Sequence, residues 1–286
     1  MPSATLLIAA QADQVILPAV YEFLNCNDVC PNNTQEYSVA EGRFTRIEWQ
    51  FANQQHSWLE ADQFDADFSE LAQSLNLIYT ISFSHQAFQL GLFCPGQNVS
   101  LEKILHKYSP LNGDDMQVSF VIGDCHSLQT SANRYGVPYF NIETGDGVAR
   151  EAQFLQLISR YKPDLFAMLP PNENLSAALL EKLPCSVLAV SEALVPSNTP
   201  GLVLDVSSAG AGVLLASAFL LQADVNKPQL VVQHAKPLLQ RQVREGDLLR
   251  SGSEQQELEM EVLVRALAKF TYNKVISYKQ YLYAFE

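Results

Sequence analysis

Residues able to do chemistry are sparse in this sequence. Asp224, followed two positions on by Asn226, could orient a water molecule and manage its proton at a hydrolytic centre. The same pair, between two apolar segments, also suits a solvated turn. Ser191 stands beside Glu192, but the local sequence places no His or Lys next to it, and a serine nucleophile needs such a base. Glu192 reads as a surface or capping acid, or as a proton donor. Asp124, Cys125 and His126 put a carboxylate, a thiol and an imidazole side by side; a reactive thiol needs a lowered pKa, and this acidic setting works against one. Gly201 and the run Ser207–Gly212 have the glycines of a phosphate loop but no Lys and no preceding strand, so they read as a flexible loop. Cys26 and Cys30 form a C-x3-C pair, yet no second pair or His cluster completes a metal set. The five cysteines are read as buried free thiols.

Elements that would position these residues follow from the hydrophobic pattern. Thr5–Ala10 reads as a strand, and Asp13 as the cap of a helix through Val15, Leu17, Val20 and Leu24. Ala40-Glu41-Gly42 makes a hairpin turn, and the arm Arg43–Phe51 alternates with a period of two, as a half-buried strand does. A helix over Ala61–Leu75 and a strand over Leu77–Phe83 complete a βαββαβ, ferredoxin-like order. Beyond Ser84–His85, strands and helices alternate from Ala87 to Val190, which implies a parallel sheet with right-handed crossovers. Two more strands, Leu214–Leu221 and Gln229–Gln233, and a long helix, Glu254–Tyr272, finish the chain. The fold class is α/β, with domains at 1–84 and 85–286.

Composition bounds the partners. At 286 residues, 48% hydrophobic and 17% charged, the chain can bury a normal core. A formal charge of −13 and a pI near 4.8 argue against nucleic acid and anionic membranes, both of which select basic surfaces. No basic stretch precedes an apolar run at the N-terminus, and the longest apolar run, Val213–Leu221, is about half the ~20 residues a membrane helix needs. A cytoplasmic location is expected.

Several stretches together carry a family resemblance. Val121-Ile122-Gly123-Asp124, Arg134-Tyr135-Gly136-Val137-Pro138-Tyr139, Tyr161-Lys162-Pro163-Asp164-Leu165 and Val262–Leu267 occur in order over the chain, with Arg43-Phe44 near its start. In this order the chain resembles the formyltetrahydrofolate deformylases. The resemblance implies an N-terminal ACT domain and a C-terminal Rossmann-like formyltransferase domain with a mostly parallel sheet. It also implies a folate as ligand or substrate, with no other cofactor indicated.

The resemblance also exposes departures. The family works with an Asn, a His two residues later and an Asp about 35 residues on. Hydrolysing an N-formyl group needs donors for the developing oxyanion and a carboxylate to position water. The matching stretch, Ala189-Val190-Ser191-Glu192-Ala193-Leu194-Val195-Pro196, has Ala189 for the Asn and Ser191 for the His. Anchoring on Leu230-Val231-Val232-Gln233 puts Asn226 at the Asp position; a slip of one or two residues puts Val225 or Asp224 there. Cleft positions of the family fall on Asn172-Glu173 and Asp124-Cys125, and the ACT turn falls on Asp13-Gln14-Val15-Ile16 without its Gly. The expectation is a catalytically degenerate member, acting as a binding, regulatory or partner subunit. It is expected to assemble with itself or with an intact paralogue. The alternative is an active hydrolase with a rebuilt site, or a changed reaction in the same cleft.

Overall fold

The structure, a computed structural model, describes residues 3–50, 61–84, 86–95, 99–112, 115–142, 147–169, 175–191, 213–221, 229–237, 245–271, 273–278 and 281–285. The chain divides into two units, residues 1–87 with 269–286, and residues 88–268.

The first unit opens with β1 (Ser3–Ala10), α1 (Leu17–Cys26), β2 (Pro31–Val39), β3 (Gly42–Gln50), α2 (Ala61–Ser74) and β4 (Ile78–Phe83). The strands form one antiparallel sheet in the order β2-β3-β1-β4, the ferredoxin-like arrangement that the βαββαβ pattern calls for. One face, with Leu6, Ile8, Ile47 and Trp49, packs against Val20 and Leu24 of α1 and Phe68 of α2. Asp13 does not cap α1. The helix starts four residues later, with Ile16 at its N-cap and Pro18 in its first turn, where a fixed φ and a missing N–H cost nothing. Val15 lies outside the helix and is exposed.

The second unit contains β5 (Phe88–Cys94), α3 (Val99–Tyr108), β6 (Met116–Gly123), α4 (His126–Arg134), β7 (Tyr139–Asn141), α5 (Gly147–Tyr161), β8 (Leu165–Met168), α6 (Ala177–Leu180), β9 (Ser186–Ser191), β10 (Val213–Leu221) and β11 (Gln229–Pro237). Its sheet runs β11-β10-β9-β8-β5-β6-β7. From β9 to β7 every pair is parallel; β10 and β11 are added antiparallel at one edge. From β5 the chain moves outward through β6 and β7, then returns to β8 on the other side. That reversal is a topological switch point, outside whose carboxyl ends α/β sheets place their ligands. Phe93, Phe120, Phe154, Phe166 and Ala189 share the apolar cluster on one face.

A long helix, α7 (Glu245–Thr271), leads from the second unit into the first, and the chain ends in a hairpin, β12 (Val275–Tyr278) and β13 (Tyr281–Ala284). The sequence pattern places the division at 84/85, with everything after it in one domain; in the structure residues 269–286 belong with the first unit. The hairpin covers the second face of the small sheet, packing Ile276, Tyr278 and Phe285 on Leu7, Ala9 and Phe44, with Tyr283 stacked on Phe44 at 4.2 Å. This is why β3, expected to be half-buried, is buried on both sides. Arg46 on the covered face pairs with Glu48 at 2.6 Å and donates from Nε to the Asn273 carbonyl at 3.3 Å.

Candidate functional site

Cys94, Gly123, Met168 and Ser191 end β5, β6, β8 and β9, so the cleft expected at the switch point is framed by the residues at and just beyond them. On β9, Ala189 is 1% exposed, in register with Met168 of β8 and Phe219 of β10, and sits in the apolar cluster. Ser191, two residues on and therefore on the same face, is half-buried and stands opposite Ser217. The position that resemblance assigns to the family's Asn is thus a piece of hydrophobic wall. Asp224, Val225, Asn226, Asn172, Glu192 and the loop from Gly201 lie outside the described residues.

Asp124 and Cys125 follow β6 at its carboxyl end, with Asp124 exposed and Cys125 half-buried at the N-cap of α4. Tyr139 pins this turn. Its hydroxyl accepts the Cys125 N–H at 3.1 Å and donates to the Cys125 carbonyl at 2.9 Å, and burial pushes its pKa up to about 12. Gly123 makes the approach possible, since a Cβ there would come within 2.9 Å of the Cys94 carbonyl and 3.0 Å of the Tyr139 hydroxyl. Cys125 departs from the sequence expectation. Its Sγ lies 3.0 Å from the Ser127 hydroxyl, and that contact, with the backbone N–H groups of Ser127 and Leu128, lowers the thiol pKa despite Asp124 nearby. Local donors outweigh the acidic neighbour because they act at hydrogen-bond distance. His126 begins α4 with its side chain exposed.

The cysteines also divide differently from the expectation. All five are free, but Cys26 and Cys30 are exposed, Cys125 and Cys185 half-buried, and only Cys94 is fully buried. Burial pushes Cys94 and Cys185 up to about 12. Among the described residues no three His, Cys, Asp or Glu side chains gather into a metal-binding group. No helix among them is long and apolar enough to cross a membrane.

The Tyr161–Leu165 stretch is structural. Asp164 Oδ2 accepts the Gln89 N–H at 2.6 Å while its own N–H donates to the Gln89 carbonyl at 2.8 Å, tying the start of β8 to β5. Lys162 takes a left-handed φ of 45° to turn the chain between α5 and β8. An open cavity of about 520 Å³ beside Ser159, Lys162, Asp164 and Cys185 lies here, at the amino ends of the strands and away from the switch-point cleft.

No protein-family model matches the sequence, and no curated protein does. Solved structures do. The chain superposes on a formyltetrahydrofolate deformylase from Pseudomonas syringae pv. tomato with a TM-score of 0.81 at 18% identity, covering 100% of this chain and 95% of the other. A formyltetrahydrofolate deformylase from Burkholderia mallei gives 0.80 at 16% identity, with 100% of both chains covered. The chain has the deformylase fold. Over part of its length the chain also matches glycinamide ribonucleotide transformylase 1 from Symbiobacterium toebii, with a TM-score of 0.57 at 20% identity, over 71% of this chain and 97% of that one. The deformylase fold is therefore a formyltransferase-type parallel sheet joined to a small antiparallel one, as the resemblance implied. Sequence reading missed Tyr139 as the residue that shapes the turn after β6, although it sits in a quoted motif. It also left Ser217 without a role, because a serine inside an apolar strand carries no signal until the strand's partners are known.

Proposed function

We propose that this chain is a catalytically degenerate protein of the deformylase fold that binds a folate-type ligand. In this reading it acts as a binding, regulatory or partner subunit in one-carbon metabolism. Residues 1–87 with 269–286 serve as an ACT-like domain and 88–268 as a formyltransferase-like domain, in the cytoplasm. One observation carries the reading: Ala189 is sealed in an apolar cluster on the strand where resemblance puts an oxyanion donor. Losing a single such donor costs about 10²–10³ in rate, and Ser191 replaces a second. Whole-chain agreement with two deformylases supports keeping the ligand class while the chemistry is gone.

Calorimetric titration with 5-formyltetrahydrofolate, alongside a formate-release assay on 10-formyltetrahydrofolate, tests both halves. Binding without release is expected. No binding overturns the ligand assignment; enzymatic release overturns the degeneracy and supports a rebuilt hydrolase.

A further inference from the structure

The face of the larger sheet that carries Ala189 also carries a polar row. β9, β10 and β11 pair antiparallel, with Ser191 opposite Ser217 and Ser217 opposite Gln233. Directly opposed residues of antiparallel strands share a face, with Cβ atoms about 4.5–5.5 Å apart. Three hydrogen-bonding side chains therefore cross the sheet in one line. Ser217 lies two residues before Phe219, which pairs with Ala189 and packs on the same cluster, so the line lies on Ala189's face. Ser217 is 0% exposed, and among the described residues its hydroxyl has no hydrogen-bond partner; Nε2 of Gln233 is also buried and has no partner among them. Native proteins seldom leave such groups unpaired, since each forfeits its hydration without return. Two of them on directly opposed residues mark a place where an acceptor belongs.

We propose that Ser217 and Gln233, with Ser191 at the end of the row, form a binding site for the carbonyl oxygen of a formamide-type group. Ser217 O–H and Gln233 Nε2–H are the donors to that oxygen. All three members are uncharged, and Ala189, Phe219 and Leu221 on the same face are apolar, so a carboxylate would be buried without a counter-charge. A neutral carbonyl fits. This inference rests on the folate reading and deepens it: the acyl oxygen is held from β10 and β11, not from the β9 positions at which resemblance places the family's Asn and His.

The test is 15N NMR on the full chain, with the Gln233 side-chain amide assigned by its loss in Q233A. N-methylformamide and 5-formyltetrahydrofolate are the probes, with tetrahydrofolate as the control lacking a formyl group. Both formyl compounds should move the Gln233 amide saturably and the control should not. S217A should weaken both by about tenfold, the worth of roughly one hydrogen bond. Its Tm without ligand should be unchanged or higher, because the hydroxyl removed has no partner among the described residues. A response to N-methylformamide with no effect of 5-formyltetrahydrofolate anywhere in the spectrum sustains the row and overturns the folate reading. Formylfolate binding seen only at other resonances overturns the row and leaves the folate reading standing. A Gln233 amide unmoved by N-methylformamide, with a lowered Tm in S217A, makes the row the seat of a structural water and overturns the proposal.

Discussion

At the level of single residues, the Ala189 and Cys125 environments make opposite statements. Ala189 is closed into an apolar cluster beside Met168 and Phe219. Placing an amide there buries a polar group among hydrocarbon, which costs about 1–3 kcal/mol when no partner is supplied. Ala189→Asn should therefore lower stability by that order in denaturant titration, and should not by itself restore formate release. An unchanged midpoint would mean that the site has polar company after all. Cys125 is poised instead: the Ser127 hydroxyl and two backbone N–H groups favour its thiolate. Its alkylation by iodoacetamide, followed peptide by peptide, should rise at a lower pH than that of an ordinary cysteine. Ser127→Ala should move the profile upward. Cys94 and Cys185, pushed up to about 12 by burial, should stay unmodified through pH 8 in the folded protein. Equal profiles for Cys125 in the two proteins would remove Ser127 as the cause.

Among the elements, the terminal hairpin changes what the small sheet is. Without β12 and β13, Leu7, Ala9 and Phe44 would lie on an open face; with them the sheet is covered on both sides. Phe285, 3% exposed and packed edge-on to Tyr283, closes that layer. Phe285→Ala should cost about 3–5 kcal/mol, as large aromatic truncations in cores do, and chemical denaturation measures it. A loss below about 1 kcal/mol would make the hairpin an ornament. Most other elements were readable from the sequence. Val118, Phe120, Val121 and Ile122 announce a strand buried on both faces, and the alternation of β3 announces a sheet with two distinct sides. The hairpin was not readable, because two four-residue strands joined by Lys279-Gln280 give too short a period to separate from the helix before them. Asn273, left-handed at φ 49° just past α7, was the signal that the helix stops there. The candidate site was legible only in part. Ala189 and Ser191 stand out through resemblance alone, while the Ser191–Ser217–Gln233 row exists only once three strands take their register.

For the molecule as a whole, β3 bears on assembly. The alternation of Arg43–Phe51 gives that arm an apolar face, but β3 is an inner strand whose Phe44 side is covered by the chain's own end, and Phe51 lies outside the described residues. Among the described residues the outer strands of the small sheet are β2 and β4, where Tyr37, Val39 and Ile78 are exposed. Edge strands with apolar residues invite pairing with another copy. Self-association through this edge is expected, and Ile78→Lys should shift light scattering at micromolar concentration from dimer towards monomer. A wild-type chain that is already monomeric and captures no intact deformylase would dismiss the partner role. The central claim is that a whole deformylase fold persists here without its chemistry. Formate release from 10-formyltetrahydrofolate, measured against a mock purification, tests it most directly. A rate indistinguishable from the mock is predicted; turnover of about 1 per second or more, the range of ordinary enzymes, would contradict it.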